Sequence, residues 1–174
     1  MTETETPRVY VADLSAYNAG ELRGVWIDVT PDADAMAEAI AGMLQESPYS
    51  GAEEWRIDDV ENVPRRASSL SELAAFATLI EIHGYDVARL FVDANVCDAD
   101  DWESEIDDWY FGIASGSDEV DAVAQYGWEM DSLEIPEHLD QYRDAIYRAW
   151  ASDAINGGEI DADRASGDDW IIHA

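Results

Sequence analysis

The chain carries 40 Asp and Glu against nine basic residues, for a formal net charge of −31 over 174 residues. All nine cations are arginine; lysine is absent. A folded surface this negative repels itself, which costs stability. Two settings compensate: a partner that binds negative charge, or concentrated salt. The acids are interleaved with seven Trp, eight Tyr and enough aliphatics to bring the hydrophobic share to 47%. Disordered acidic chains are poor in such residues, so the sequence describes a folded polyanion and not a solvated tail. Sign alone disfavours nucleic acid and anionic lipid as partners and favours a protein with a basic groove.

The charge is spread along the chain. Residues 1–64, 65–112 and 113–174 hold 14, 11 and 15 acids, with three arginines each. Between Arg89 and Arg143 there are 16 acids and no basic residue. No apolar run approaches the roughly 20 residues that cross a bilayer. The opening MTETETPRVY has acids where a signal peptide has basic residues. A cytoplasmic protein without membrane contact is expected. Cys97 is the sole cysteine, which rules out an internal disulfide and suits a reducing compartment.

Periodicity divides the chain into elements. Val9, Val11 and Asp13 alternate with Tyr10, Ala12 and Leu14, which reads as a strand. The segment SAYNAGELRG holds Asn18, Gly20 and Gly24 and reads as a turn region before a second strand, VWIDV. Thr30 is positioned to cap a helix whose first turn holds Pro31, Asp32 and Asp34, and which buries Met36, Ile40, Met43 and Leu44. Trp55 to Val60 suggests a third strand. Ser69 and Glu72 have capping-box spacing ahead of an apolar stripe of Leu70, Leu73, Phe76, Ala77 and Ile80, with Gly84 as the stop. Val87, Leu90 and Phe91 mark a short helix.

DADDWESEIDDWYFGI reads as a further helix. Trp102, Ile106 and Trp109 lie on its inner face; Asp98, Asp101, Glu105 and Asp108 lie on the outer one. Another helix runs from about Asp118 to Trp128. Pro136 opens the longest, lined by Leu139, Tyr142, Ile146 and Trp150 and ended by Asn156, Gly157 and Gly158. GEIDA and DDWIIHA close as a hairpin. The fold class expected is α+β: an N-terminal antiparallel three-stranded sheet with a helix (1–64), a central helical domain (65–112) and a C-terminal α+β domain (113–174). Core packing accounts for most of the tryptophans.

Little supports catalysis. His83, His138 and His173 share no metal-ligand spacing. Acidic neighbours raise the pKa of Cys97 and weaken it as a nucleophile. GELRG lacks the lysine of a phosphate-binding loop. Asp161 and Asp163 suit the start of an EF-hand loop, but the glycine at position six and the acid at position twelve are missing. No enzyme activity, cofactor or metal site is expected. The acidic helix faces could be plain solvated surface. That reading weakens because such faces normally mix signs, with Glu–Lys pairs four residues apart.

The stretch RVYVADLSAYNAGELRGVWIDV resembles the opening of the ArdA antirestriction proteins, through Tyr17, Asn18, Gly20, Leu22, Gly24 and Trp26. AEEWRIDDVEN is similar to the next block of that family, and IPEHLDQYRDAIYRAWASDAINGGEI to its closing segment. The resemblance implies a DNA mimic encoded on a mobile element. Such a protein occupies the DNA-binding groove of type I restriction-modification enzymes and blocks restriction, and modification to a lesser degree. It also implies three small domains in an elongated homodimer joined through the C-terminal domains. Charge density agrees: two copies hold 62 excess negative charges (2 × 31), the charge of roughly 105 Å of duplex at about one per 1.7 Å. A compact domain of this length would have a radius of gyration of only about 16 Å.

The acids expected on the mimic surface are Asp58, Asp59 and Glu61, then Asp98, Asp100, Asp101, Glu103, Glu105, Asp107 and Asp108, then Asp118, Glu119 and Asp121. Tyr126, Trp128 and Trp150 are the expected dimer contacts. The competing readings are an acidic module for another basic DNA-binding protein and an ordinary domain from a halophile.

Overall fold

Val9 and Val11, both fully buried, anchor the first strand of a computed structural model that describes residues 6–94, 97–165 and 167–174. The described residues form α+β structure, as the sequence predicts: seven α-helices and two antiparallel three-stranded sheets. The chain divides into two compact units, Met1–Trp102 and Glu103–Ala174.

In the first unit β1 (Arg8–Asp13) lies between β2 (Gly24–Asp28) and β3 (Trp55–Glu61). The β1–β3 register shifts between Tyr10 and Val11, which leaves Asp58 as the extra residue of a bulge. The turn expected after β1 is a short helix, α1 (Leu14–Asn18), because Asp13 caps it from the strand end: its carboxylate accepts the Ser15 and Ala16 N–H groups. Gly24 has a steric reason. A side chain there would meet the Val11 carbonyl and the Tyr10 ring.

α2 (Ala33–Gln45) buries Met36, Ile40 and Met43. Its cap is Asp32 and not Thr30: the Asp32 carboxylate accepts the Ala35 N–H at 2.9 Å. The helix thus begins two residues later than the Thr30 reading allows. α3 (Leu70–His83) opens on the expected box, with Glu72 N–H donating to Ser69 Oγ and Ser69 N–H to the Glu72 carboxylate, and ends at Gly84 with φ of 86°. α4 (Tyr85–Ala94) buries Val87, Ala88, Phe91 and Val92.

The acidic stretch differs from the single helix expected. A 3₁₀ turn, Ala99–Asp101, leads into α5 (Trp102–Trp109), and Tyr110–Ser115 is a strand, β4. Trp102, Ile106 and Trp109 are buried as predicted. The helix stops because Tyr110, Gly112, Ile113, Ala114 and Ser115 pair with β6 (Asp169–His173). In the sheet β6 is central, between β4 and β5 (Asp161–Arg164). The expected closing hairpin is therefore present, with an unforeseen third strand beside it.

α6 (Glu119–Glu129) is capped by Asp118 and packs on this sheet and on α7 (Arg143–Gly157). Pro136 opens a 3₁₀ segment, Glu137–Tyr142, and not the long helix itself. That segment turns every three residues, so the helical stripe read through Tyr142 loses its phase. Tyr142 is exposed and Tyr147 is the aromatic that enters the core, with Val123, Ala151 and Ile172. Trp150 lies on Gly127, where any side chain would collide with its ring. Among the described residues no helix is long and apolar enough to cross a membrane.

Candidate acidic interaction surface

The arginines decide which carboxylates remain uncompensated. Seven of the nine are ion-paired within the chain: Arg8 with Glu61 (2.7 Å), Arg23 with Asp13 (3.3 Å), Arg56 with Asp58, Arg89 with Asp93 (3.7 Å), Arg143 with Asp140 (2.8 Å), Arg148 with Asp121 and Arg164 with Asp168 (3.7 Å). Four of these guanidinium groups also lie over an aromatic ring: Arg8 on Trp26, Arg56 on Tyr17, Arg143 on Trp128 and Arg164 on Trp170. A planar guanidinium can bond a carboxylate and stack at once, while a lysine ammonium stands off as a hydrated point charge. The absence of lysine thus has a structural counterpart, cations laid flat against the surface. Two of the stacked rings, Trp26 (37% exposed) and Trp128 (44% exposed), lie outside the core. Only Arg65 and Arg66 have no ion-pair partner among the described residues. Both are exposed on the turn closed by the Ala67 N–H to Pro64 carbonyl bond.

The expected mimic acids fall into three groups. In the first, Asp58, Asp59 and Glu61 are all exposed on the edge strand β3, but Asp58 and Glu61 are paired with Arg56 and Arg8. The second group is the most open. Asp98, Asp100 and Asp101 flank or form the 3₁₀ turn, and Glu103, Glu105, Asp107 and Asp108 stand on α5; all seven are exposed. Asp98, Asp100, Glu103, Glu105 and Asp108 have no ion-pair partner among the described residues. Four charges in the six residues from Glu103 to Asp108, at about 1.5 Å per residue, come to one per roughly 2.3 Å. Duplex DNA carries one per about 1.7 Å.

The third group, on α6, is committed to the fold. Asp118 Oδ1 accepts the Asp121 N–H at 2.8 Å, and Asp121 Oδ2 accepts the Ser117 N–H and hydroxyl at 3.0 and 3.1 Å. The Ser117 N–H and hydroxyl hold the Asp121 carboxyl below its ordinary value; partial burial opposes them and Arg148 assists. Glu119 is pushed up, first by burial and then by Asp161, Asp163 and Asp118. Of the expected dimer contacts, Tyr126 and Trp150 pack against the core of the second unit, while Trp128 stacks on Tyr147 and is exposed.

One acid that sequence reasoning placed only in a strand is structural. Asp13 is fully buried and accepts from the Ser47 hydroxyl (2.6 Å), the Ser15 N–H (2.9 Å) and Arg23 (3.3 Å). Its carboxyl lies below its ordinary value, foremost through Ser47. Burial pushes the other way, and the Ala16 and Ser15 N–H groups and Arg23 complete the balance. Among the described residues no group of His, Cys, Asp and Glu is arranged to hold a metal ion.

The described residues thus form an α+β polyanion in which seven of nine arginines are ion-paired and the acids from Asp98 to Asp108 are exposed. Residues 9–164 match the family model described as Antirestriction protein (ArdA), so the chain belongs to the ArdA antirestriction family. No curated protein matches the chain.

Proposed function

We propose that this antirestriction protein works by DNA mimicry, as an inhibitor that fills the DNA-binding groove of a type I restriction-modification enzyme. The observation that carries the reading is the run of seven exposed acids from Asp98 to Asp108, lying in the stretch from Arg89 to Arg143 that holds no basic residue. Carboxylates fixed on a helix and a 3₁₀ turn present acceptors for the Arg and Lys of such a groove, in charge-assisted hydrogen bonds. No bond is made or broken in this mechanism, and the chain is not an enzyme.

The same reading includes three small domains with boundaries near 64 and 112, an extended homodimer, and a cytoplasmic site of action where restriction enzymes meet incoming DNA. It makes inhibition of restriction stronger than inhibition of modification. The test is competition between the purified chain and a fluorescent DNA duplex for the core methyltransferase of a type I enzyme. The expected result is mutually exclusive binding. A ternary complex of enzyme, duplex and chain would overturn the reading.

A further inference from the structure

Two three-stranded sheets expose four edge strands, and three of them are blunted. β3 has the Asp58 bulge and several charges; β4 has a register shift between Tyr110 and Gly112; β5 is four residues long, three of them charged. Bulges, charge and shortness are the usual protections against strand pairing. β2, Gly-Val-Trp-Ile-Asp, has none of them except a terminal Asp28. Its ladder to β1 is extended by Val29 N–H to Pro7 O and Asp13 N–H to Arg23 O, both 2.9 Å. That parity aims the backbone groups of residues 23, 25, 27 and 29 at β1. The N–H and C=O of Gly24, Trp26 and Asp28 therefore point to the free edge, where no other chain segment among the described residues pairs with them.

Beside that edge, between β2 and α2, runs an open groove of about 630 Å³. Ile27 and Met43 make its apolar wall, and Gly42 of α2 leaves it bare: a side chain built there meets nothing within 4 Å. Gly42 thus has no internal packing reason, unlike Gly24 and Gly127. Asp28 and Glu46 line the groove and neither has an ion-pair partner among the described residues, while its one cation, Arg23, is turned onto Asp13 and the Met43 carbonyl.

We infer that the β2 edge takes an extended basic segment of a partner protein by strand addition. Its main chain bonds Gly24, Trp26 and Asp28, its apolar side chains and basic stems lie in the groove, and its cations meet Asp28 and Glu46. Main-chain pairing gives affinity and the groove gives side-chain selection. This contact imitates no feature of DNA, and it stands apart from the mimicry reading. Pairing with the β2 strand of a second copy is disfavoured because that strand, Gly-Val-Trp-Ile-Asp, brings no cation to Asp28 and Glu46.

The test is a titration of the isotope-labelled full chain with a hexapeptide of alternating lysine and valine, followed by amide NMR. Two control peptides replace lysine with glutamate, or methylate alternate backbone nitrogens. The expected result is saturable shifts of the Gly24, Trp26 and Asp28 amides, lost with either control. Gly42→Leu should weaken binding by about tenfold or more by filling the groove. Shifts spread over the α5 acids that survive backbone methylation would overturn the proposal, because they report charge attraction alone. So would β2 shifts that follow protein concentration without peptide, or no response. The methylated peptide keeps the test decisive on the unmutated chain.

Discussion

The corner around Asp13 and the outer face of α5 use the same functional group in opposite ways. At the corner, one carboxylate is fully buried and drawn on by two backbone N–H groups, a hydroxyl and a guanidinium. It joins the end of β1, the start of α1 and Ser47, two residues past the end of α2. On α5, Glu103, Glu105 and Asp108 are exposed and no ion pair within the described residues reaches them. What separates a structural acid from a displayed one is whether donors from distant parts of the chain converge on it. A count of −31 conceals that division.

The largest break in the comparison is predicted for Asp13→Ala, which strips the corner of the carboxylate that Arg23 and Ser47 share. It should cost about 3 kcal/mol in urea unfolding. The pH dependence has a defined sign. The folded carboxyl lies below its unfolded value, so its stabilisation is complete above about pH 4, the ordinary Asp range. It is lost as pH falls through the lower folded value. The gap between the parent chain and Asp13→Asn should therefore be wide at neutral pH and close in acid.

Glu119 has the opposite sign. Its carboxyl is raised by burial and by Asp161 and Asp163, so it favours the fold when protonated and opposes it once pH rises through the raised value. Glu119→Gln should stabilise the second unit by on the order of 0.5 kcal/mol at neutral pH, and the gain should vanish in acid. The smallest effect on stability belongs to the displayed set. Glu103→Gln, Glu105→Gln and Asp108→Asn together should change the unfolding free energy by no more than about 0.5 kcal/mol, yet lower antirestriction potency in part. Complete loss of potency from one of these changes alone, with the fold intact, would contradict a distributed surface.

Local chemistry made much of this readable from the sequence. The Ser69–Glu72 box, the Gly84 stop, the Asp118 helix start and the buried Trp102, Ile106 and Trp109 each depend on neighbours a few residues away. The misreadings share a cause. α1 is capped by a residue that also belongs to a strand. β4 continues an apolar pattern that fits a helix until β6 pairs with it. The 3₁₀ turn before α7 shifts the phase of its stripe. The pairing of the candidate surface was hidden for the same reason, because Arg8 meets Glu61 and Arg148 meets Asp121 across long stretches of chain. The open edge of β2 depends on register, which no local pattern contains.

The most direct measurement is the affinity of the chain for a type I methyltransferase across a range of salt concentrations, for the parent chain and for the triple α5 variant. If carboxylates stand in for phosphates, log K falls linearly and steeply with log salt, and the variant gives a shallower slope. An affinity that holds constant from low to high salt, or an identical slope for both proteins, would contradict the account.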